Sequence, residues 1–243
     1  MTKFSFEVPI KHLLDFDEDQ DFGFALSFLV NQNKAYADYY NRFALTYQDR
    51  KVILDNSYNE KLEADGFSQL SYAIERCFGA SHLVAPDSPK FDEAQIASNW
   101  VSACLNFRKF KQENVIAVVR SRKMFNFLYD CGAQSFAVSY WTRPEIIKES
   151  DAFWISGCHF LGLNNIDEIK TFRPQTCDTS MPIKLAMVGK SIDQWRRDDF
   201  PHIYTHELGA SGSEFFNASL TDETIKLAKQ NIKQLKEECN GEC

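Results

Sequence analysis

Three aspartates in this 243-residue chain stand directly after short apolar runs: Val52-Ile-Leu-Asp55, His82-Leu-Val-Ala-Pro-Asp87 and Thr176-Cys-Asp178. A carboxylate at the end of a buried strand is partly stripped of water, which costs free energy unless it is paired or used. One such residue is ordinary, because Asp often caps the helix that follows. Three of them suit carboxylate chemistry. In glycosyl transfer one carboxylate attacks the anomeric carbon while a second moves the proton on the leaving base.

The elements that must position these residues follow from the apolar patterning. Runs of strand length recur at Phe4–Ile10, Phe24–Val30, 52–55, 82–87, 115–119, 135–140 and 158–163, with a weaker one at 176–178. Most are continuous instead of alternating, as expected for parallel strands buried on both faces. Segments of helical period lie between them at 33–48, 66–78, 92–111, 122–130 and 143–151. Pro144 suits a first helical turn. Repeated β-then-α units with eight strands predict an α/β fold, a (β/α)8 TIM-like barrel with a C-terminal helical appendage; an open doubly wound sheet is the alternative. The expected division is a barrel over 1–190 and an extension over 191–243. The extension ends in a helix over 221–238, with Thr221 as its N-cap, packed on the barrel.

Composition narrows the function classes. A net charge of −7 excludes a generally basic nucleic-acid coat but leaves room for a local basic groove. No apolar run approaches the roughly 18 residues that span a bilayer, so no membrane partner is expected. Seven scattered cysteines suit reduced thiols in a cytoplasmic protein. Cys158 and Cys177 flank the candidate site and read as small apolar packing. His202-x-x-x-His206 with Cys239-x-x-x-Cys243 has zinc-ligand spacing, but surface residues are the preferred reading, and neither metal nor organic cofactor is expected.

Basic residues that could hold phosphates are Arg120, Arg122 and Lys123 after the fifth strand and Lys184 after the eighth, with an ordinary solvated surface as the alternative. Arg108-Lys-Phe-Lys111 and Trp195-Arg-Arg197 are further basic elements. The acidic run Asp15–Asp21 reads as an exposed loop that would repel a phosphate backbone. His159 lies in a strand that a barrel buries. That suits a core or supporting histidine, and its nearness to Leu161 and Gly162 also makes it a substrate-contact candidate.

Four strings occur in order: Val52-Ile-Leu-Asp-Asn-Ser-Tyr-Asn-Glu60, Leu83-Val-Ala-Pro-Asp87, His159-Phe-Leu-Gly-Leu163 and Cys177-Asp-Thr-Ser-Met-Pro182. The ordered set, covering about residues 20–190, resembles the tRNA-guanine transglycosylase superfamily. It is most similar to the short phage-type members that place 7-deazaguanine bases in DNA. The resemblance implies an irregular (β/α)8 barrel and a double displacement at C1′ of a nucleotide. It implies that Asp178 is the nucleophile and Asp55 the acid/base. Asp87 would receive the N–H edge of the base, and Asn56 is a further substrate-binding candidate. Leu161 and Gly162 would lie against one face of the purine, and Tyr58 would stack on the other.

Two departures bear on the substrate. Where tRNA-acting members carry Gln-Gly and Gly-Gly-Leu, this chain reads Val119-Arg-Ser121 and Val138-Ser-Tyr140. It also lacks their Cys-x-Cys-x-x-Cys zinc spacing, which favours DNA over tRNA. The resulting expectation is a DNA base-exchange transferase that replaces guanine with a 7-deazaguanine such as preQ0, in the host cytoplasm if phage-encoded. A hydrolytic nucleoside or DNA glycosylase with the same carboxylates, and a non-catalytic barrel binding a nucleotide or modified base, are the alternatives.

Overall fold

The computed structural model describes residues 1–57, 66–88, 90–148, 151–163, 165–197 and 212–241. It is a (β/α)8 TIM-like barrel fold of eight parallel strands with alternating helices and a C-terminal helix. The strands are β1 (Lys3–Phe6), β2 (Gly23–Leu26), β3 (Val52–Asp55), β4 (His82–Val84), β5 (Val115–Val118), β6 (Phe136–Ser139), β7 (His159–Leu161) and β8 (Thr176–Thr179). Each lies in or overlaps one of the eight apolar runs read from the sequence.

By contact the chain divides into two compact units, Phe22–Leu161 and Met1–Asp21 with Gly162–Cys243. In the first, β2 through β7 pair in sequence order, all parallel. Its helices are α1 (Ser27–Gln32), α2 (Lys34–Thr46), α3 (Phe67–Arg76), α4 (Glu93–Asn106), α5 (Arg122–Asp130) and α6 (Arg143–Ile146). Side-chain caps start several of them. Asn33 accepts from Tyr36 N at 3.1 Å, Asp92 from Gln95 N at 2.7 Å and Ser121 from Met124 N at 3.1 Å. Each cap satisfies an orphan amide of a first turn. The core between sheet and helices is aromatic and branched, with Phe24, Ile53, Leu54, Tyr36, Phe43 and Leu70 all buried.

In the second unit β1 pairs with β8. Its helices are α7 (Ile166–Phe172), α8 (Met181–Met187), α9 (Ile192–Arg197), α10 (Gly212–Asn217) and α11 (Asp222–Asn240). Thr221 caps α11 by accepting from Thr224 N at 3.2 Å, as read from the sequence, and the helix packs on α8 and α7. Asn231, buried at 1% exposure, ties it down. Its Oδ1 accepts from Ile192 N at 3.2 Å, and its Nδ2 donates to Pro182 O at 3.2 Å and Lys190 O at 3.1 Å.

The structure corrects three local expectations. The apolar run 24–30 divides, because Ser27–Val30 is the start of α1. A short, fully buried apolar stretch carries no period that separates helix from strand. The first run ends at Phe6, and beyond Pro9 the chain forms a 3₁₀ helix, Ile10–Phe16. The acidic run is not an exposed loop throughout. Gln20 is buried and bonds Phe6 through both its amide groups, while Asp21 accepts from Phe4 N at 2.8 Å and pairs with Lys236 of α11 at 2.8 Å. Among the described residues no helix is long and apolar enough to cross a membrane.

Asn231→Ala strands two carbonyls and one amide in the packing of α8, α9 and α11. The expected loss is about 2–4 kcal/mol of unfolding free energy. Lys233, by contrast, lies on the exposed face of α11. Lys233→Ala should stay within about 0.5 kcal/mol. Chemical denaturation of the two variants checks the contrast.

Candidate active site

In the Phe22–Leu161 unit the site is built where β3 and β4 run out. Asp55 is the last residue of β3 and is buried. The chain turns at once, and Ser57 N–H donates back to Asp55 Oδ2 at 2.7 Å. Ser57 adopts φ 62°, a left-handed conformation that costs a side-chain-bearing residue free energy. The surroundings hold it there. Ser57 Oγ lies 3.0 Å from Ser27 Oγ and accepts from Phe28 N at 3.2 Å, which also serves the first turn of α1.

Asn56, at 1% exposure, points its amide at the next strand end. Its Nδ2 donates to Ala85 O at 3.1 Å and to Asp87 Oδ1 at 2.8 Å. Asp87 is 6% exposed, and burial pushes its carboxyl up to about 6. The Asn56 hydrogen bond and the charge of Arg120 act in the opposite direction without cancelling the loss of water. Asn56, next to Asp55 in the chain, thus ties the segment after β3 to Asp87.

Arg120 follows β5 and belongs to the same loop system. Its guanidinium donates to Phe91 O at 2.8 Å and to Ser88 O, so it braces the segment after Asp87. Arg122 forms an ion pair with Asp151, both half-exposed, and Lys123 is exposed on α5. These cations have different surroundings, although the sequence presents them as one group.

His159 opens β7, at the strand's amino end. Its buried ring stacks on Phe24 at 5.6 Å and meets Phe22 edge-on at 5.9 Å. The structure therefore gives it the core surroundings that were one of its two readings, away from the strand carboxyl ends. Leu161 closes β7 and is buried. Arg143, which sequence reasoning passed over, is fully buried under this region. It donates to Val138 O at 2.9 Å and to Leu161 O at 3.2 Å, joining the ends of β6 and β7. Its guanidinium also lies 4.4 Å above the Phe160 ring, where the ring's negative face attracts a cation. Cys158 is buried, which pushes its thiol up to about 12 and leaves it a packing residue.

In the other unit, Asp178 stands one residue before the end of β8 and is 4% exposed. Gly162 N–H donates to both carboxylate oxygens, each at 3.2 Å. Gly162 has φ 71°, which a glycine adopts without steric cost. That conformation turns its amide toward the aspartate. The pair Asp178 and Gly162 is therefore real as a contact.

Two further residues complete this half. Glu7 continues the β1–β8 ladder, its N–H donating to Thr179 O at 3.1 Å. Burial first, and then the charge of Asp178, push its carboxyl up to about 7, while Lys184 of α8 pulls the other way. Sequence reasoning missed Glu7, because an alternating stretch does not mark it off from a solvent-facing residue. Lys184 also lies 5.2 Å above the Phe215 ring.

Tyr58, His202, His206 and Cys243 lie outside the described residues. Cys239 is buried on α11. Among the described residues no group of three or more His, Cys, Asp or Glu side chains could hold a metal ion.

Asp87 sets a pH-dependent stability term whose sign follows from its raised pKa. Between its ordinary 3.8 and about 6 the folded chain holds a proton that the unfolded chain has released. Wild type therefore loses stability relative to Asp87→Asn as pH rises across that window, by up to about 3 kcal/mol. Denaturation midpoints of both proteins at about pH 4 and pH 7 measure the difference.

Compared with known proteins, the chain matches no protein-family model, and no curated protein matches it.

Proposed function

We propose that this chain is a glycosyl-transferring enzyme that exchanges guanine in DNA for a 7-deazaguanine such as preQ0. The observation that carries the reading is the state of its two strand-end aspartates. Asp55 and Asp178 are each buried, and each has a carboxylate oxygen held by a backbone N–H, from Ser57 and from Gly162. Carboxylates fixed in this way have lost much of their rotational freedom before substrate arrives, which is what a displacement at carbon requires. The ordered strings that resemble the transglycosylase superfamily supply the choice of reaction.

In this reading Asp178 Oδ attacks C1′ as the bond from C1′ to the base nitrogen breaks, and Asp55 delivers a proton to the departing guanine. Asp55 then takes the proton from the incoming base, whose nitrogen displaces Asp178 from C1′. Two inversions leave the configuration at C1′ unchanged. Asp87, oriented by Asn56, accepts from the N–H edge of either base, which its ionised form does. Leu161 and Gly162 lie against the base, while Arg122, Lys123 and Lys184 draw on the phosphates of the flanking strand, giving a salt-sensitive contact.

Incubation of a guanine-containing duplex with labelled preQ0 tests this. Wild type should incorporate label and form a DNA adduct that survives denaturation. Asp178→Ala should do neither, and Asp55→Asn should lose on the order of 100- to 10,000-fold in rate. Undiminished incorporation by Asp178→Ala, or none by wild type, overturns the reading. Release of free guanine without an acceptor base would select hydrolysis instead.

A second expectation concerns Asp87. KM for the incoming base should rise as pH falls through about 6, because the protonated carboxyl loses an acceptor. Asp87→Asn should raise KM and remove that dependence, as steady-state kinetics from about pH 5 to 8 would show.

A further inference from the structure

Backbone register sets Glu7 one step past the end of β1, diagonal to Asp178 across the β1–β8 pair. Ser5 pairs with Asp178 and Phe6 with Thr179, and the ladder extends one step to the Glu7 N–H on Thr179 O. Side chains alternate along a strand, so Ser5 and Glu7 share the face of the β1–β8 pair that carries Asp178. Phe4 and Phe6 take the opposite face, with rings stacked at 6.1 Å and Lys236 of α11 above Phe6 at 5.7 Å. Among the described residues, the charged groups that face Glu7 are Asp178 on β8 and Lys184 on α8. Burial and the charge of Asp178 favour the protonated form of Glu7, with Lys184 acting the other way.

We propose that Glu7 is the positioning residue of Asp178, its carboxyl O–H donating to the Asp178 carboxylate and holding it for attack. This deepens the transfer mechanism and rests on that reading. Gly162 N–H holds the Asp178 oxygens from one direction, and the Glu7 O–H adds a second, charge-assisted bond from the neighbouring strand. With Glu7 protonated, no second negative charge stands beside Asp178. Once Glu7 ionises, the bond is lost and a second negative charge stands beside Asp178 and the incoming phosphate backbone. The exchange reaction then has an alkaline limb near pH 7, belonging to Glu7 instead of to the base substrate.

Two measurements test this separately. Carbon-13 NMR of labelled glutamate carboxyls should show Glu7 titrating near 7 in wild type and moving toward its ordinary 4.5 in Asp178→Asn. Titration near 4.5 in wild type, or no movement in Asp178→Asn, overturns the pair. Exchange kinetics from about pH 5 to 9 should show the alkaline limb in wild type and none in Glu7→Gln, whose amide donates but cannot ionise. Glu7→Ala should lose on the order of 100-fold at every pH through misplacement of the attacking group, with Glu7→Gln recovering a clear part of that loss. A limb that persists in Glu7→Gln, or equal activity of the Ala and Gln variants, overturns the positioning role. Absence of any exchange or base release by wild type would sink the transferase reading instead, and the NMR titration would still decide the pair.

Discussion

A carboxylate at the end of a strand buried on both faces has lost its water, and the loops of this protein are organised around that loss. Removing a carboxylate from water without a partner costs several kcal/mol or shifts its protonation. Asp55, Asp87, Asp178 and Glu7 show the range of answers. Asp55 takes an amide from the turn it starts, and Asp178 takes one from the turn after β7. Asp87 takes the Asn56 side chain and still titrates high, as does Glu7. The left-handed Ser57 and Gly162 are consequences of the same demand, since each conformation aims an amide at a carboxylate.

The positioning of these groups depends on polar residues that sit where apolar ones would normally pack. Asn56, Gln20, Asn231 and Arg143 are all buried, and each ties its own segment to backbone groups of another. Asn56 bridges the ends of β3 and β4, and Arg143 bridges those of β6 and β7. Gln20 closes the edge of β1, while Asn231 anchors α11 to α8 and the start of α9. Such networks specify a single arrangement because a half-satisfied alternative is expensive. The net charge of −7 is part of the same picture: Asp21, Asp55, Asp87 and Asp178 are occupied within the structure, so the total says little about a phosphate-binding surface.

Much of the fold was legible because parallel strands leave a strong composition signal. Val52-Ile-Leu and Val115-Ile-Ala-Val have no polar face to offer, and helices with Asn33, Asp92, Ser121 and Thr221 at their starts carry their own boundaries. Ser27–Val30 was misread because four buried residues cannot display a period. The acidic run was misread because Asp and Gln look solvated until a strand edge needs their oxygens. At the site, Asp55, Asp87 and Asp178 announced themselves by standing at the ends of apolar runs. Arg120 did not reveal its carbonyl partners, since Ser88 and Phe91 lie about thirty positions away. Glu7 escaped notice because an isolated glutamate in an alternating stretch looks the same whether it faces solvent or a second carboxylate.

The sequence by itself determined the eight-strand parallel pattern, the Thr221 cap and the strand-end aspartates, because each depends on residues within one or two turns of one another. Tertiary structure decided which carboxylates share an environment, which cations are committed to carbonyls, and which face His159 packs against. Those outcomes depend on strand register and on loop backbone groups from distant segments. A shift of one residue in the pairing of β1 with β8 would turn Glu7 from the Asp178 face to the other. Local patterning specifies that a strand exists there, and only its pairing specifies what stands beside it.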